Sequence, residues 1–195
     1  MLKKILCLFA CISCLCSFGQ KQAANWYFGH YAGLDFNSGT PVALTDGQMG
    51  QLEGCATISD ANGDLLFYTN GMEVYNANHT IMLNGTGLLG NQSSSQSAII
   101  VPAPGDTTTY YIFTVDYEGY PNGLRYSKIN LNLDGGLGGV VPGEKNIQLA
   151  TPVGEKVTAV YHNNQQDIWV ISHRLGTNEF LSYLVTSTGV ELSPI

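Results

Sequence analysis

The feature that most limits what this chain can become is a series of short strand-like segments that recurs in the same order three times. One set runs Glu53-Gly54-Cys55-Ala56-Thr57-Ile58-Ser59-Asp60, turns at Ala61-Asn62-Gly63, continues as Leu65-Leu66-Phe67-Tyr68-Thr69-Asn70 and closes on Glu73-Val74-Tyr75-Asn76. The second opens at Gln96-Ser97-Ala98-Ile99-Ile100-Val101, turns at Pro102-Ala103-Pro104-Gly105 and proceeds through Tyr110-Tyr111-Ile112-Phe113-Thr114 and Arg125-Tyr126-Ser127-Lys128-Ile129. The third opens at Glu155-Lys156-Val157, turns at His162-Asn163-Asn164-Gln165 and proceeds through Ile168-Trp169-Val170-Ile171-Ser172-His173 and Phe180-Leu181-Ser182-Tyr183. Each set joins a small-residue apolar strand, a tight turn, an aromatic strand ending in Thr or Ser, and an alternating strand. Such runs between Gly and Asn turns specify strands rather than helices. A fourth strand is expected at 80–83, 146–149 and, truncated, at 190–192.

The sets start at 53, 96 and 155, and the longer spacing absorbs a Gly-rich loop expected at 133–143. Repeats of about 40 to 50 residues with four strands each are what propeller blades show. Ahead of them, Trp26-Tyr27-Phe28-Gly29 matches an aromatic second strand and Gly33-Leu34-Asp35-Phe36 a third. The expected fold is therefore all-β: a partial β-propeller of four-stranded antiparallel blades, with a β-sandwich of regular hairpins as the alternative. A partial blade covers about 25–45, and blades cover about 53–84, 96–150 and 155–195. A ring holds roughly four to eight blades, so the missing blades are expected from the rest of a longer chain.

Met1-Leu2-Lys3-Lys4 followed by an uncharged run to Phe18 reads as a secretory signal over 1–19, ending at Ser17-Phe18-Gly19. The apolar run is shorter than the about 20 residues a membrane span needs. Four of the five cysteines lie inside it, which leaves Cys55 alone in the mature chain and excludes an internal disulfide or a multi-cysteine metal site. Without Lys3 and Lys4, 15 acidic residues face 6 basic ones, which argues against nucleic acid as a partner.

Asn25-Trp26-Tyr27-Phe28-Gly29, Glu53-Gly54-Cys55-Ala56-Thr57-Ile58-Ser59-Asp60, Gly63-Asp64-Leu65-Leu66-Phe67-Tyr68-Thr69-Asn70-Gly71 and Gln96-Ser97-Ala98-Ile99-Ile100-Val101-Pro102 carry a resemblance that extends over nearly the whole mature chain. They resemble the N-terminal propeller region of large surface proteins of gliding Bacteroidetes-type bacteria. The resemblance implies type IX secretion, a C-terminal type B (gliding motility-associated) sorting domain, and a secreted or outer-surface location. It supplies no catalytic residues.

Glu53, Gln96 and Glu155 stand in register, each shortly before an apolar inner strand, and could line one rim of a channel as acceptors for sugar hydroxyls or a cation. Asp60, Asn62 and Asp64 have the alternating oxygen spacing of a calcium loop, but position twelve is Gly71 where a bidentate Glu is needed. A hairpin turn on Asn62-Gly63 accounts for the same residues, so no cofactor is expected, with Ca2+ the one ion to consider. His30, Asn70 and His173 fall at matching ends of aromatic strands, which makes His30 and His173 the candidates for a metal. The expected function is a non-enzymatic module binding a glycan or a surface protein in adhesion or gliding. A propeller-type enzyme, lyase-like or lactonase-like, and a purely structural spacer are the alternatives.

Overall fold

A computed structural model describes residues 21–195, and the expected signal segment lies outside them. The chain is all-β. A three-stranded sheet comes first, formed by β1 (Asn25–Phe28), β2 (Ala32–Asp35) and β3 (Val42–Leu44). The second sheet is β4 (Ala56–Ser59), β5 (Leu65–Thr69), β6 (Glu73–Asn76) and β7 (Ile81–Thr86) in sequential antiparallel order. The third contains β8 (Ala98–Pro102), β9 (Thr109–Val115) and β10 (Leu124–Asn130), with β11 (Gly139–Val140) and β12 (Ile147–Ala150) side by side along β10. The fourth is β13 (Val153–Tyr161), β14 (Ile168–Arg174), β15 (Phe180–Thr186) and β16 (Gly189–Val190).

Each sheet packs face-on against the next, which makes a row of blades rather than the two facing sheets of a sandwich. Tyr27 and Met49 meet Tyr68 and Tyr75 between the first and second sheets. Phe67, Val74 and Met82 meet Tyr110, Ile112 and Ile129 between the second and third. Tyr111, Phe113, Val115 and Leu124 meet Val157, Val170, Leu181 and Tyr183 between the third and fourth. Position in the row explains the burial patterns. Every residue of β9 is buried because its sheet is covered on both faces, whereas β14 buries Ile168, Val170 and Ser172 and leaves Trp169, Ile171 and His173 part-exposed. The first strands β4, β8 and β13 approach one another in turn, as inner strands of blades do.

Two expectations are refined by the strand pairings. The Gly-rich stretch expected as loop contains β11, because Gly139 finds a parallel partner at Leu83 while Val140 pairs with Ile129. The stitch joins the second and third sheets into one hydrogen-bonded array. The strand expected to be truncated at 190–192 is short, Gly189–Val190, and the residues after it stay beside β15 through single backbone bonds: Glu191 N–H donates to Leu184 O, and Ile195 and Ser182 exchange backbone bonds of 3.0 and 3.2 Å.

Candidate functional site

The inner strands have two ends, and the structure treats them differently. At their starts lie the three residues expected to line a rim. Gln96 donates its backbone N–H to the Glu155 carbonyl at 3.1 Å, and Gly54 donates to Ser94 O, so these residues lie along the seams between successive sheets. The Glu155 carboxylate accepts from Ser95 N–H at 3.0 Å, Ser95 Oγ at 3.2 Å and Glu118 N–H at 3.2 Å. The Ser95 N–H bond, foremost among these donors, holds its pKa below the ordinary carboxylate range. Three donors leave this oxygen pair little capacity for a ligand. Glu53 and Gln96 are exposed.

At the other end, the first hairpins of the second, third and fourth sheets border an open cavity of about 1040 Å³. Asp60 and Ala61 come from the β4–β5 turn, Pro104 and Asp106 from the β8–β9 turn, and Gln165 and Asp167 from the β13–β14 turn. Tyr110 and Ile58 line its wall, with Tyr161, a residue 54% exposed. The volume is at the upper end of that of small-molecule sites, roughly 300 to 1000 Å³.

Local turn chemistry sets the polar groups of this mouth. Asp60 Oδ1 accepts from the N–H groups of Asn62 at 2.8 Å and Asp64 at 2.9 Å, with Gly63 at φ +95° completing the turn. Asp106 Oδ1 accepts from Thr108 N–H and Oγ1, both at 2.8 Å. Bonding to the charged form holds both carboxyls below their ordinary range, Asp60 chiefly through Asp64 N–H and Asp106 chiefly through Thr109. Asp167 accepts from Asn164 Nδ2 at 2.7 Å. The arrangement offers fixed carboxylate and amide acceptors beside an aromatic side chain. Among the described residues, no three His, Cys, Asp or Glu side chains converge as metal ligands.

The histidine positions separate once registers are known. Asn70 and Asp116 each follow the second strand of a sheet and cap the next turn: Asn70 Oδ1 accepts from Met72 and Glu73 N–H, and Asp116 accepts from Tyr117 and Asn122 N–H. The residue opposite Phe180 in β14 is His173, which corresponds to Val115 opposite Leu124, one position earlier than Asp116. His30 forms an isolated bridge with Gly50 and is exposed, while His173 packs on the Phe180 ring at 5.1 Å. They share neither an equivalent position nor the cavity.

Cys55 is half-buried beside Tyr27, its Sγ donating to Tyr27 O at 3.5 Å, and burial pushes its thiol pKa up. It behaves as a small core side chain. Of the cavity's carboxyls, sequence reasoning had weighed only Asp60, as part of a calcium loop, although a signal existed: an Asp recurs at or beside the first turn of all three sets, as Asp60, Asp106 and Asp167. Among the described residues no helix is long and apolar enough to cross a membrane. In comparisons with protein-family models, with curated proteins and with solved structures, nothing matches the chain.

Proposed function

We propose that this protein is a non-enzymatic propeller module, exported to the cell surface or medium, that binds a glycan at the hairpin end of its inner strands. The observation that carries the reading is the open cavity there, with the half-exposed Tyr161 beside Asp106, Gln165 and Asp167. Sugar rings stack on aromatic faces while their hydroxyls donate to fixed acceptors, and both kinds of group meet in this mouth. Lys3 and Lys4 followed by an uncharged run to Phe18 support export, and the resemblance to surface proteins of gliding bacteria supports an adhesion or gliding context.

A glycan array probed with the purified chain, followed by calorimetry on the best hit, tests the reading. Tyr161→Ala is expected to weaken that binding at least tenfold with unchanged circular dichroism. Absence of binding to every glycan, or binding indifferent to Tyr161→Ala and Asp167→Ala together, would overturn it.

A further inference from the structure

Three buried tyrosines stack in a column between the first and second sheets. Tyr27 of β1 lies face to face with Tyr68 of β5, ring centroids 4.6 Å apart and planes 18° from parallel, and Tyr68 lies on its cross-strand neighbour Tyr75 of β6 at 5.1 Å and 7°. Offset stacks at this spacing are ordinary in cores. The phenol ends carry a second pattern, because each hydroxyl meets a base of its own. Tyr27 donates to Asp46 Oδ1 at 2.9 Å, Tyr75 donates to Glu73 Oε2 at 2.6 Å, and the Tyr68 hydroxyl lies 3.2 Å from His79 Nδ1. None of these residues lines the cavity at the hairpin end.

Neighbours on either side assign the direction of the Tyr68 bond. His79 Nε2 is 3.3 Å from Asp46 Oδ2, and a carboxylate oxygen there favours the tautomer with its proton on Nε2. Nδ1 then offers a lone pair, and the Tyr68 hydroxyl, which already accepts the Gln48 N–H at 3.1 Å, turns its own proton toward it. Burial foremost pushes the phenol pKa of all three tyrosines up, so each keeps its proton in the resting protein. A phenol that gives up an electron becomes a strong acid and must shed that proton, and rings in face-to-face contact pass the vacancy between them. Tyr68 is fully buried, whereas the His79 side chain is 20% and that of Asp46 53% exposed, so the central ring is shielded while its base reaches toward solvent.

We infer that the column is a redox-active tyrosine relay in which an electron vacancy comes to rest on Tyr68. A one-electron oxidant of the diffusing-radical class takes an electron from the column and is itself reduced. The Tyr68 O–H bond breaks, the proton passes to His79 Nδ1, and the products are a neutral phenoxyl radical and an imidazolium beside the Asp46 carboxylate. One electron from a reductant of the ascorbate class, with the proton returned from His79, restores the phenol. The vacancy settles on Tyr68 because imidazole is a stronger base than a carboxylate by roughly 2 pKa units in ordinary peptides. Of the three rings, Tyr68 is also the one stacked on both faces.

Flash oxidation of the purified chain with ruthenium(III) tris-bipyridine, read by optical absorption and electron paramagnetic resonance, tests the relay. Wild type is expected to give a phenoxyl signal that outlives those of exposed tyrosines such as Tyr31 and Tyr120. Tyr68→Phe, which keeps the ring, should abolish the long-lived signal. His79→Asn removes the base at a position with φ +60°, which Asn tolerates, and should slow formation of the radical about a hundredfold. An unchanged lifetime in Tyr68→Phe, or an unchanged rate in His79→Asn, would overturn the inference and leave the column as packing. Circular dichroism and thermal melts check that both variants fold. Chromium(III) oxalate, a relaxing agent confined to water, needs no variant: it should leave the wild-type signal unaltered, and strong relaxation would place the vacancy on an exposed tyrosine and overturn the relay.

Discussion

The Glu155 carboxylate sits 3.0 Å from the backbone N–H of Ser95, 60 positions earlier in the chain, and fastens the start of the fourth sheet to the loop ahead of the third. The same group accepts from Glu118 N–H. Glu155→Ala removes acceptors for both donors, and because the site is solvent-accessible the expected cost is about 0.5 to 1 kcal/mol in urea unfolding. Binding at the opposite, hairpin end should be unaffected. A loss of glycan binding equal to that of Tyr161→Ala, with stability unchanged, would return the ligand to this end.

Acid should loosen the structure through the same class of contacts. Asp60, Asp106 and Glu155 all have folded-state pKa values lowered by hydrogen bonds to the carboxylate. Their contribution is present above the unfolded carboxylate values of about 4 and is lost as pH falls through the folded ones. Melting temperature should therefore decline below about pH 4, with a smaller decline in Asp60→Asn/Asp106→Asn/Glu155→Gln. An equally steep decline in the triple variant would assign acid sensitivity to other groups.

Asn70 is 2% exposed, and its Oδ1 serves the N–H groups of Met72 at 2.9 Å and Glu73 at 2.7 Å. Asn70→Ala strands both donors in a part-buried turn and should cost about 2 kcal/mol, with Asn70→Asp, which keeps the acceptor, costing less. Chemical denaturation of the two variants checks the order.

Gly54 has no room for a side chain. A Cβ there would lie 2.7 Å from Gln96 Cα and also meet Ser97 N, and these are backbone atoms that cannot swing aside. Gly54→Ala should destabilise by about 1 to 3 kcal/mol, measurable as a lowered denaturation midpoint. A neutral result would mean that the seam between the second and third sheets is more open than the packing indicates.

Thr114 presents the opposite case. Its side chain is fully buried and its Oγ1 has no hydrogen-bond partner among the described residues. Replacing the hydroxyl with a methyl in Thr114→Val removes a desolvated polar atom at nearly constant shape, so stability should hold or rise by about 1 kcal/mol. A clear loss would point to a bound water at that oxygen.

What was legible in the sequence was local. Strand alternation and the Asn62-Gly63 turn are decided within a few residues, since Asp60 bonds to neighbours two and four positions away. Calcium-loop spacing and hairpin spacing coincide at Asp60, Asn62 and Asp64, and the missing twelfth-position Glu already favoured the hairpin. Less legible was which strand residues are equivalent, because a register slip of one residue exchanges the two faces of a sheet. His173 and Asn70 look alike when strand ends are aligned by composition, yet cross-strand partners place His173 level with Val115 and facing Phe180.

By itself, then, the sequence determined an all-β chain of repeated antiparallel strands, because period and turn chemistry are short-range properties. Only the tertiary structure decided that Glu155 is consumed by a seam, that Gly139 becomes a strand against Leu83, and that the open mouth lies at the Asp106 and Asp167 end. Each of these depends on groups far apart in sequence meeting across packed sheets, and no local pattern encodes which of two strand ends is left open.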